Sequence, residues 1–166
     1  MRHLIITTLI CFSFIAILLI PRNMNKPEKN KIYSSTDTNK VNIPEKEWKD
    51  ILPADVYEVA RNKGTERPFS GKYNDHFEGG TYYCAACGNP LFKSNAKFQS
   101  SCGWPSFFEP ITKGSLIYTP DNTHGMQRTE VQCGRCKAHL GHIFNDGPPP
   151  TGLRYCINSV VLNFEK

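Results

Sequence analysis

Residues 44–166 lack any marked excess of charge of one sign. The 166-residue chain has 20 Lys/Arg and 15 Asp/Glu, of which residues 1–43 hold 6 and 2, so residues 44–166 keep 14 and 13. Contacts with phosphate groups need a basic surface, and this balance argues against nucleic acid as a partner. The sequence also lacks an internal repeat, apart from a doubled Cys-x-x-Cys, and this excludes a repeat architecture. We expect one domain over residues 44–166.

The first 43 residues have a different composition. An apolar run from Leu4 to Ile20 is close to the minimum length of a membrane-spanning helix. No Ala-x-Ala-like cleavage site follows it, so residues 1–20 are predicted to be an uncleaved membrane anchor, with a signal segment as the alternative. Residues 21–43 are polar without hydrophobic periodicity and are predicted to be a flexible linker. The protein is thus predicted to be membrane-anchored or exported. The basic residues after the run favour a cytoplasmic domain, whereas export needs the opposite orientation, so the side of the membrane is not predicted.

The domain itself has the pattern of a mainly β protein. After Pro44, apolar residues recur at helical intervals and are interrupted by Pro53, which predicts two short N-terminal helices. From Thr81 onward, short apolar stretches alternate with Gly, Pro and Asn turns. This alternation predicts a small antiparallel β domain.

Two Cys-x-x-Cys pairs, Cys84/Cys87 and Cys133/Cys136, predict a structural zinc site. Each pair can supply two thiolates to one edge of a tetrahedral Zn²⁺ ion. A compact site of Cys133, Cys136, His139 and His142 is an alternative, although it leaves Cys84 and Cys87 without a role. A thioredoxin-like redox motif is a second alternative, but it needs a βαβ setting that the Gly- and Pro-rich flanks do not offer.

The stretch from Gly152 to Phe164 is predicted to be one β-strand that carries a candidate nucleophile. Alternate side chains of a strand point to the same face, so Arg154, Cys156 and Asn158 are expected side by side. The Arg154 cation would lower the pKa of Cys156 and favour its thiolate. The other interpretation is that Cys156 is an inert buried thiol, since cysteine is among the most buried residues.

A second single cysteine and two histidines accompany this strand. Cys102 lies in a turn-forming stretch with Trp104, which could contact a sulfur-bearing ligand or could be a core aromatic residue. His139 and His142 precede the strand, and imidazole is well suited to proton transfer near neutral pH. Either could equally be structural.

Together these motifs resemble the methionine-R-sulfoxide reductases of the B type. The resemblance covers about Glu45 to Phe164 and rests on Gly-Thr-Glu-Arg-Pro-Phe (64–69), Cys-Gly-Trp-Pro-Ser-Phe (102–107), His-Gly-Met-Gln-Arg (124–128), His-Leu-Gly-His-Ile-Phe (139–144) and Arg-Tyr-Cys-Ile-Asn-Ser (154–159). It implies a compact β "tent" of two packed antiparallel sheets. Two positions depart from the family pattern, with Ser101 where Gly is common and Val161 where Ser is common.

The resemblance also implies roles for individual residues. Cys156 would be the catalytic cysteine, Cys102 the resolving cysteine, and Trp104 and Phe144 would bind substrate. His139, His142, Arg154 and Asn158 would complete the active site, and the four paired cysteines would hold zinc.

The implied reaction is reduction of methionine-R-sulfoxide, free or in proteins. Cys156 would attack the sulfoxide and become a sulfenic acid, and a disulfide with Cys102 would follow. A thioredoxin-like dithiol would reduce that disulfide. We expect a monomer; the alternative function is a non-catalytic, zinc-stapled β module for protein interaction.

Overall fold

The computed structural model describes residues 29–166. In this range two α-helices, α1 (Glu45–Ile51) and α2 (Ala54–Ala60), lie at the start of the domain. Pro44 and Pro53 immediately precede them, where a proline can start a helix without loss of a hydrogen bond. The two helices bury Trp48 and Val56 against the strands that follow. The prediction of two short helices is confirmed.

Nine strands form two antiparallel sheets in the described part of the chain. The strands are β1 (Thr81–Cys84), β2 (Pro90–Lys93), β3 (Lys97–Phe98), β4 (Ser106–Phe107), β5 (Leu116–Asp121), β6 (Arg128–Cys133), β7 (His139–Phe144), β8 (Arg154–Ile157) and β9 (Leu162–Glu165). One sheet has the order β2-β1-β9 and the other the order β3-β4-β8-β7-β6-β5. The predicted mainly β class with two antiparallel sheets is therefore confirmed.

The stretch from Gly152 to Phe164 is not one strand, contrary to the sequence prediction. Its first part is β8 of the six-stranded sheet and its last part is β9 of the three-stranded sheet. A 3₁₀ turn at Ser159–Val161 separates them and carries the chain from one sheet to the other. The alternation of faces consequently ends at this turn, and Val161 and Leu162 are both buried in succession.

One continuous hydrophobic core within residues 29–166 takes side chains from both sheets and both helices. Aromatic rings form its centre: Phe92 of β2 stacks on Phe107 of β4 with 4.3 Å between ring centroids. Tyr82 of β1 meets Phe107 edge-on at 5.1 Å. These contacts join the two sheets. Strand β8 lies between β4 and β7, with which it pairs.

Residues 29–43, assigned to a flexible linker by the sequence, are packed against the domain. Ile32 and Val41 contact the hydrophobic core. The buried guanidinium of Arg135 donates to the carbonyl oxygens of Ile32 and Asn39 at 3.2 and 3.0 Å, and to Asp37 Oδ2 at 2.6 Å. Composition did not reveal this docking because the contacts depend on Arg135, which lies about 100 residues further along the chain.

The apolar run predicted to enter a membrane, and Cys11 within it, lie outside the described residues. Across residues 29–166, no helix is both long and apolar enough to cross a bilayer.

Candidate active site

The four paired cysteines converge on one buried cluster. Their sulfur atoms all lie within 4.8 Å of one another, with 3.8 Å between Cys84 and Cys136 and 3.6 Å between Cys87 and Cys133. Four sulfurs bound at about 2.3 Å to one tetrahedral zinc ion lie roughly 3.8 Å apart. The donor set therefore fits Zn²⁺, and the predicted site is confirmed as one that could hold this metal.

The cluster lies in two turns of the same construction. One turn joins β1 to β2 and the other joins β6 to β7, so the metal site connects the three-stranded sheet to the six-stranded sheet. In each turn the amide four residues after the first cysteine donates to its carbonyl oxygen, from Gly88 to Cys84 at 2.8 Å and from Lys137 to Cys133 at 2.9 Å. A redox Cys-x-x-Cys in a βαβ unit does not match this antiparallel setting.

The Cys2His2 alternative is wrong because both histidines have other partners. His139 Nδ1 lies 2.7 Å from Glu130 Oε1, and His142 Nε2 lies 2.7 Å from Asp121 Oδ2. Neither imidazole belongs to the cysteine cluster.

Strand β8 places Cys156 between two other strands of the six-stranded sheet. In the strand register Cys156 is opposite Ser106 of β4 and opposite His142 of β7. The Sγ atoms of Cys156 and Cys102 are 3.5 Å apart, and both residues are partly exposed. Among residues 29–166, the two cysteines outside the four-cysteine cluster are thus in contact, although they are 54 residues apart in the chain.

This sulfur–sulfur contact governs the ionisation of both thiols. It lowers the pKa of Cys102 to about 4, with added donors at Ser100 and Ser106, although burial opposes the shift. The same contact, together with burial, raises the pKa of Cys156, and the opposing effect of Arg154 is smaller. Arg154 lowers the pKa of Cys156, as expected, but in the reduced pair this effect is smaller than the rise caused by the contact with Cys102.

An open pocket of about 420 Å³ gives access to Cys156. Its lining comprises Thr65, Trp104, Arg128, Gly141, His142, Phe144, Cys156 and Asn158. Five of the residues predicted for the site therefore share one pocket: Trp104, His142, Phe144, Cys156 and Asn158. Cys102, His139 and Arg154 do not border it.

Arg154 is fixed beside the pocket by two neighbours. Its Nε and Nη2 donate to Asp146 Oδ1 and Oδ2 at 2.9 and 2.8 Å. Its guanidinium lies over the Phe144 ring, 4.4 Å from the centroid. The ion pair raises the pKa of Arg154 further, so the cation that supports Phe144 is permanent.

The two histidines differ in their position. His142 borders the pocket, whereas His139 lies behind it, 5.5 Å from His142 between ring centroids and 4% exposed. Burial lowers the pKa of His139 despite its contact with Glu130. Only His142 of the two can reach a molecule in the pocket directly.

Four residues that sequence reasoning left without a role also organise the site. Asp121 and Glu130 hold the histidines, and Arg128 donates to Asp121 Oδ2 at 2.7 Å while lining the pocket. Glu66 contacts both Asn158 and Trp104. The motifs contained Glu66 and Arg128, but their contacts depend on pairings between distant segments, for which one sequence has no signal.

The fold and site define an antiparallel β protein with a four-cysteine site that can hold zinc and with a pair of contacting thiols at a pocket. Residues 52–166 match the family model described as the SelR domain. A peptide methionine sulfoxide reductase MsrB of Pseudomonas putida (strain W619) is 61% identical over 119 residues, which are 72% of this chain and 90% of the relative. The protein of the same description from Pseudomonas entomophila (strain L48) is 60% identical over 119 residues, 72% of this chain and 91% of the relative. The chain therefore belongs to the SelR domain family, that of the B-type methionine sulfoxide reductases.

Proposed function

We propose that this protein reduces methionine-R-sulfoxide to methionine by thiol chemistry at Cys156. The observation that carries the proposal is the 3.5 Å contact between the Sγ atoms of Cys156 and Cys102 at the edge of an aromatic pocket. The relatives described as peptide methionine sulfoxide reductases support it. A non-catalytic interaction module would need neither the contact between Cys102 and Cys156 nor the pocket. This alternative is therefore not favoured.

The first step forms a sulfenic acid on Cys156. Proton transfer along the sulfur–sulfur contact converts the Cys102 thiolate and Cys156 thiol into a Cys102 thiol and a Cys156 thiolate. That thiolate attacks the sulfoxide sulfur while protonated His142 donates its proton to the oxygen. The sulfoxide is reduced to methionine, and its oxygen passes to Cys156 as the hydroxyl of a sulfenic acid.

The second step joins the two cysteines. The Cys102 thiol attacks the sulfenic sulfur, a disulfide forms and one water molecule leaves. The two sulfurs need to approach by about 1.5 Å from their present contact to reach bonding distance. A thioredoxin-like dithiol then reduces the disulfide by exchange and restores both thiols.

Trp104 and Phe144 are proposed to hold the methyl group and side chain of the substrate. Sulfur packs favourably on aromatic rings, and both rings line the pocket that contains Cys156. Arg154 orients Phe144 and completes the surroundings of Cys156, and His139 supports His142. Since the pocket is chiral, these walls would select one sulfoxide epimer.

Zinc is proposed to have a structural role. Bound to Cys84, Cys87, Cys133 and Cys136, the metal would cross-link the turns of the two sheets. No reaction step involves this site.

The setting of the domain is a further part of the proposal. Residues 1–20 would anchor the chain in a membrane or direct it for export, and residues 21–43 would connect that segment to the domain. The domain would act as a monomer on free methionine sulfoxide or on oxidised proteins.

The central test is a single turnover without reductant. Incubation with methionine-R-sulfoxide should give one methionine per chain and a Cys102–Cys156 disulfide, detected by mass spectrometry. The Cys156→Ser variant should give neither, and the S-epimer is the matched control substrate. Methionine formation by Cys156→Ser would refute the proposed nucleophile; full multiple turnover with thioredoxin by Cys102→Ser would refute the resolving role.

A further inference from the structure

Glu66 connects to two walls of the pocket through its main chain. Its N–H donates to Asn158 Oδ1 at 3.1 Å, and its carbonyl oxygen accepts a hydrogen bond from Trp104 Nε1 at 3.1 Å. The Asn158 amide is fully oriented, because its Nδ2 also donates to the Leu140 carbonyl oxygen at 3.0 Å. A shift of the Glu66 backbone would therefore displace both the Trp104 ring and the Asn158 amide, which line the pocket.

The carboxylate of Glu66 fixes that backbone to the strand crossover after Cys156. It accepts hydrogen bonds from the amides of Ser159 at 2.5 Å and Val160 at 2.9 Å. These amides begin the 3₁₀ turn that separates β8 from β9. The side chain thus links the loop carrying Glu66 to the turn that ends the strand of Cys156.

Gly71 and Ser159 pack closely against the carboxylate on one side. A Cβ on Gly71 would lie 2.7 Å from Glu66 Oε1 and 2.4 Å from Ser159 Cβ, so only glycine fits there. Ser159 is held in turn, since its Oγ accepts the Tyr73 amide at 2.8 Å. Half-burial raises the pKa of Glu66, while the two amide donors oppose that shift.

We propose that Glu66 is a positioning residue for substrate: its carboxylate anchors the crossover after Cys156, and its main chain thereby sets Trp104 and Asn158. This proposal rests on the proposed function. Glu66 touches no reacting atom, so it acts on how the substrate is held rather than on the chemical steps.

The test compares Glu66→Gln with Glu78→Gln, which removes an exposed carboxylate at the surface. Glutamine can accept only one of the two amides, and its own NH₂ group faces the other. Loss of one charged hydrogen bond should raise KM for methionine-R-sulfoxide about tenfold in Glu66→Gln, with kcat within about twofold. Glu78→Gln should leave both constants unchanged.

Acrylamide quenching of tryptophan fluorescence gives a readout without substrate. The chain has two tryptophans, and Trp48 is 1% exposed, so quenching reports on Trp104. The quenching constant should rise in Glu66→Gln and stay at the wild-type value in Glu78→Gln. Unchanged KM and unchanged quenching in a folded Glu66→Gln would overturn the proposal.

A shorter carboxylate keeps the question answerable if Glu66→Gln does not fold. Glu66→Asp retains the charge but lacks one methylene and cannot reach both amides. Its KM and its quenching constant should both rise, but less than in Glu66→Gln. Wild-type values of KM and of the quenching constant would overturn the proposal. Absence of methionine sulfoxide reduction by the wild-type protein would instead refute the proposed function, and the quenching comparison would still decide the role of Glu66.

Discussion

Replacement of Arg135 by alanine should release residues 29–43 from the domain. Arg135 lies between Cys133 and Cys136 of the metal cluster, and its side chain donates to the carbonyl oxygens of Asn39 at 3.0 Å, Ile32 at 3.2 Å and Cys87 at 2.5 Å. A hydrogen bond to a charged donor contributes about 1.5–3 kcal/mol. Water can replace the donor at the two carbonyls of the segment, which are nearer the surface than that of Cys87.

The free energy of unfolding should therefore fall by about 2–3 kcal/mol. Most of this loss comes from the buried Cys87 carbonyl, and the carbonyls of Ile32 and Asn39 contribute less. The ion pair with Asp37 adds little to this free energy, because that carboxylate faces solvent. In a domain of this size such a loss lowers Tm by about 5–10 °C.

Urea unfolding and limited trypsin digestion together measure the effect. The released segment should be cut at Lys31 and Lys40 while the remainder stays folded and retains its activity. The matched control is Lys49→Ala, which removes one exposed cation from helix α1. Wild-type digestion rates at Lys31 and Lys40 in Arg135→Ala would refute the reasoning, because they would show that the segment is held without the guanidinium.

Three further expectations concern the metal, the acid and the membrane. Purified protein should contain about one zinc per chain, and chelation should lower Tm markedly; an unchanged Tm in metal-free protein would contradict the structural role. His142→Gln should lower kcat by about 100-fold to 10,000-fold. His139→Gln should lower kcat less than about tenfold, because that ring does not border the pocket; the opposite ranking would transfer the acid role to His139. A reporter fused after Lys166 should show which side of a membrane the domain occupies, and activity confined to the cytoplasm would exclude export.

The sequence allowed the metal site and the fold class to be predicted because both depend on local patterns. Cys84/Cys87 and Cys133/Cys136 each form a turn whose geometry is set within five residues. The two helices likewise follow from Pro44, Pro53 and the apolar spacing between them. Such features need no knowledge of which strands pair.

The remaining features depend on long-range pairing and could not be derived. The break in the predicted strand at Ser159 is stabilised by the carboxylate of Glu66, 93 residues earlier in the chain. The docking of residues 29–43 depends on Arg135, an arginine that looks like an ordinary surface residue in the sequence. In both cases a charged side chain from a distant part of the chain donates or accepts hydrogen bonds that the composition of the segment itself does not indicate.

In the proposed mechanism, the arrangement around Cys156 separates the two reactions of this sulfur. The pocket reaches Cys156 from the side of Trp104 and His142, while Cys102 contacts it without bordering the pocket. A substrate can therefore meet Cys156 without first displacing Cys102 from the pocket. The strand crossover that begins three residues beyond Cys156 and the four-cysteine cluster both connect one sheet to the other. Because these two links restrain the sheets, a thiol pair held at 3.5 Å needs only a local movement of the Cys102 loop to form its disulfide.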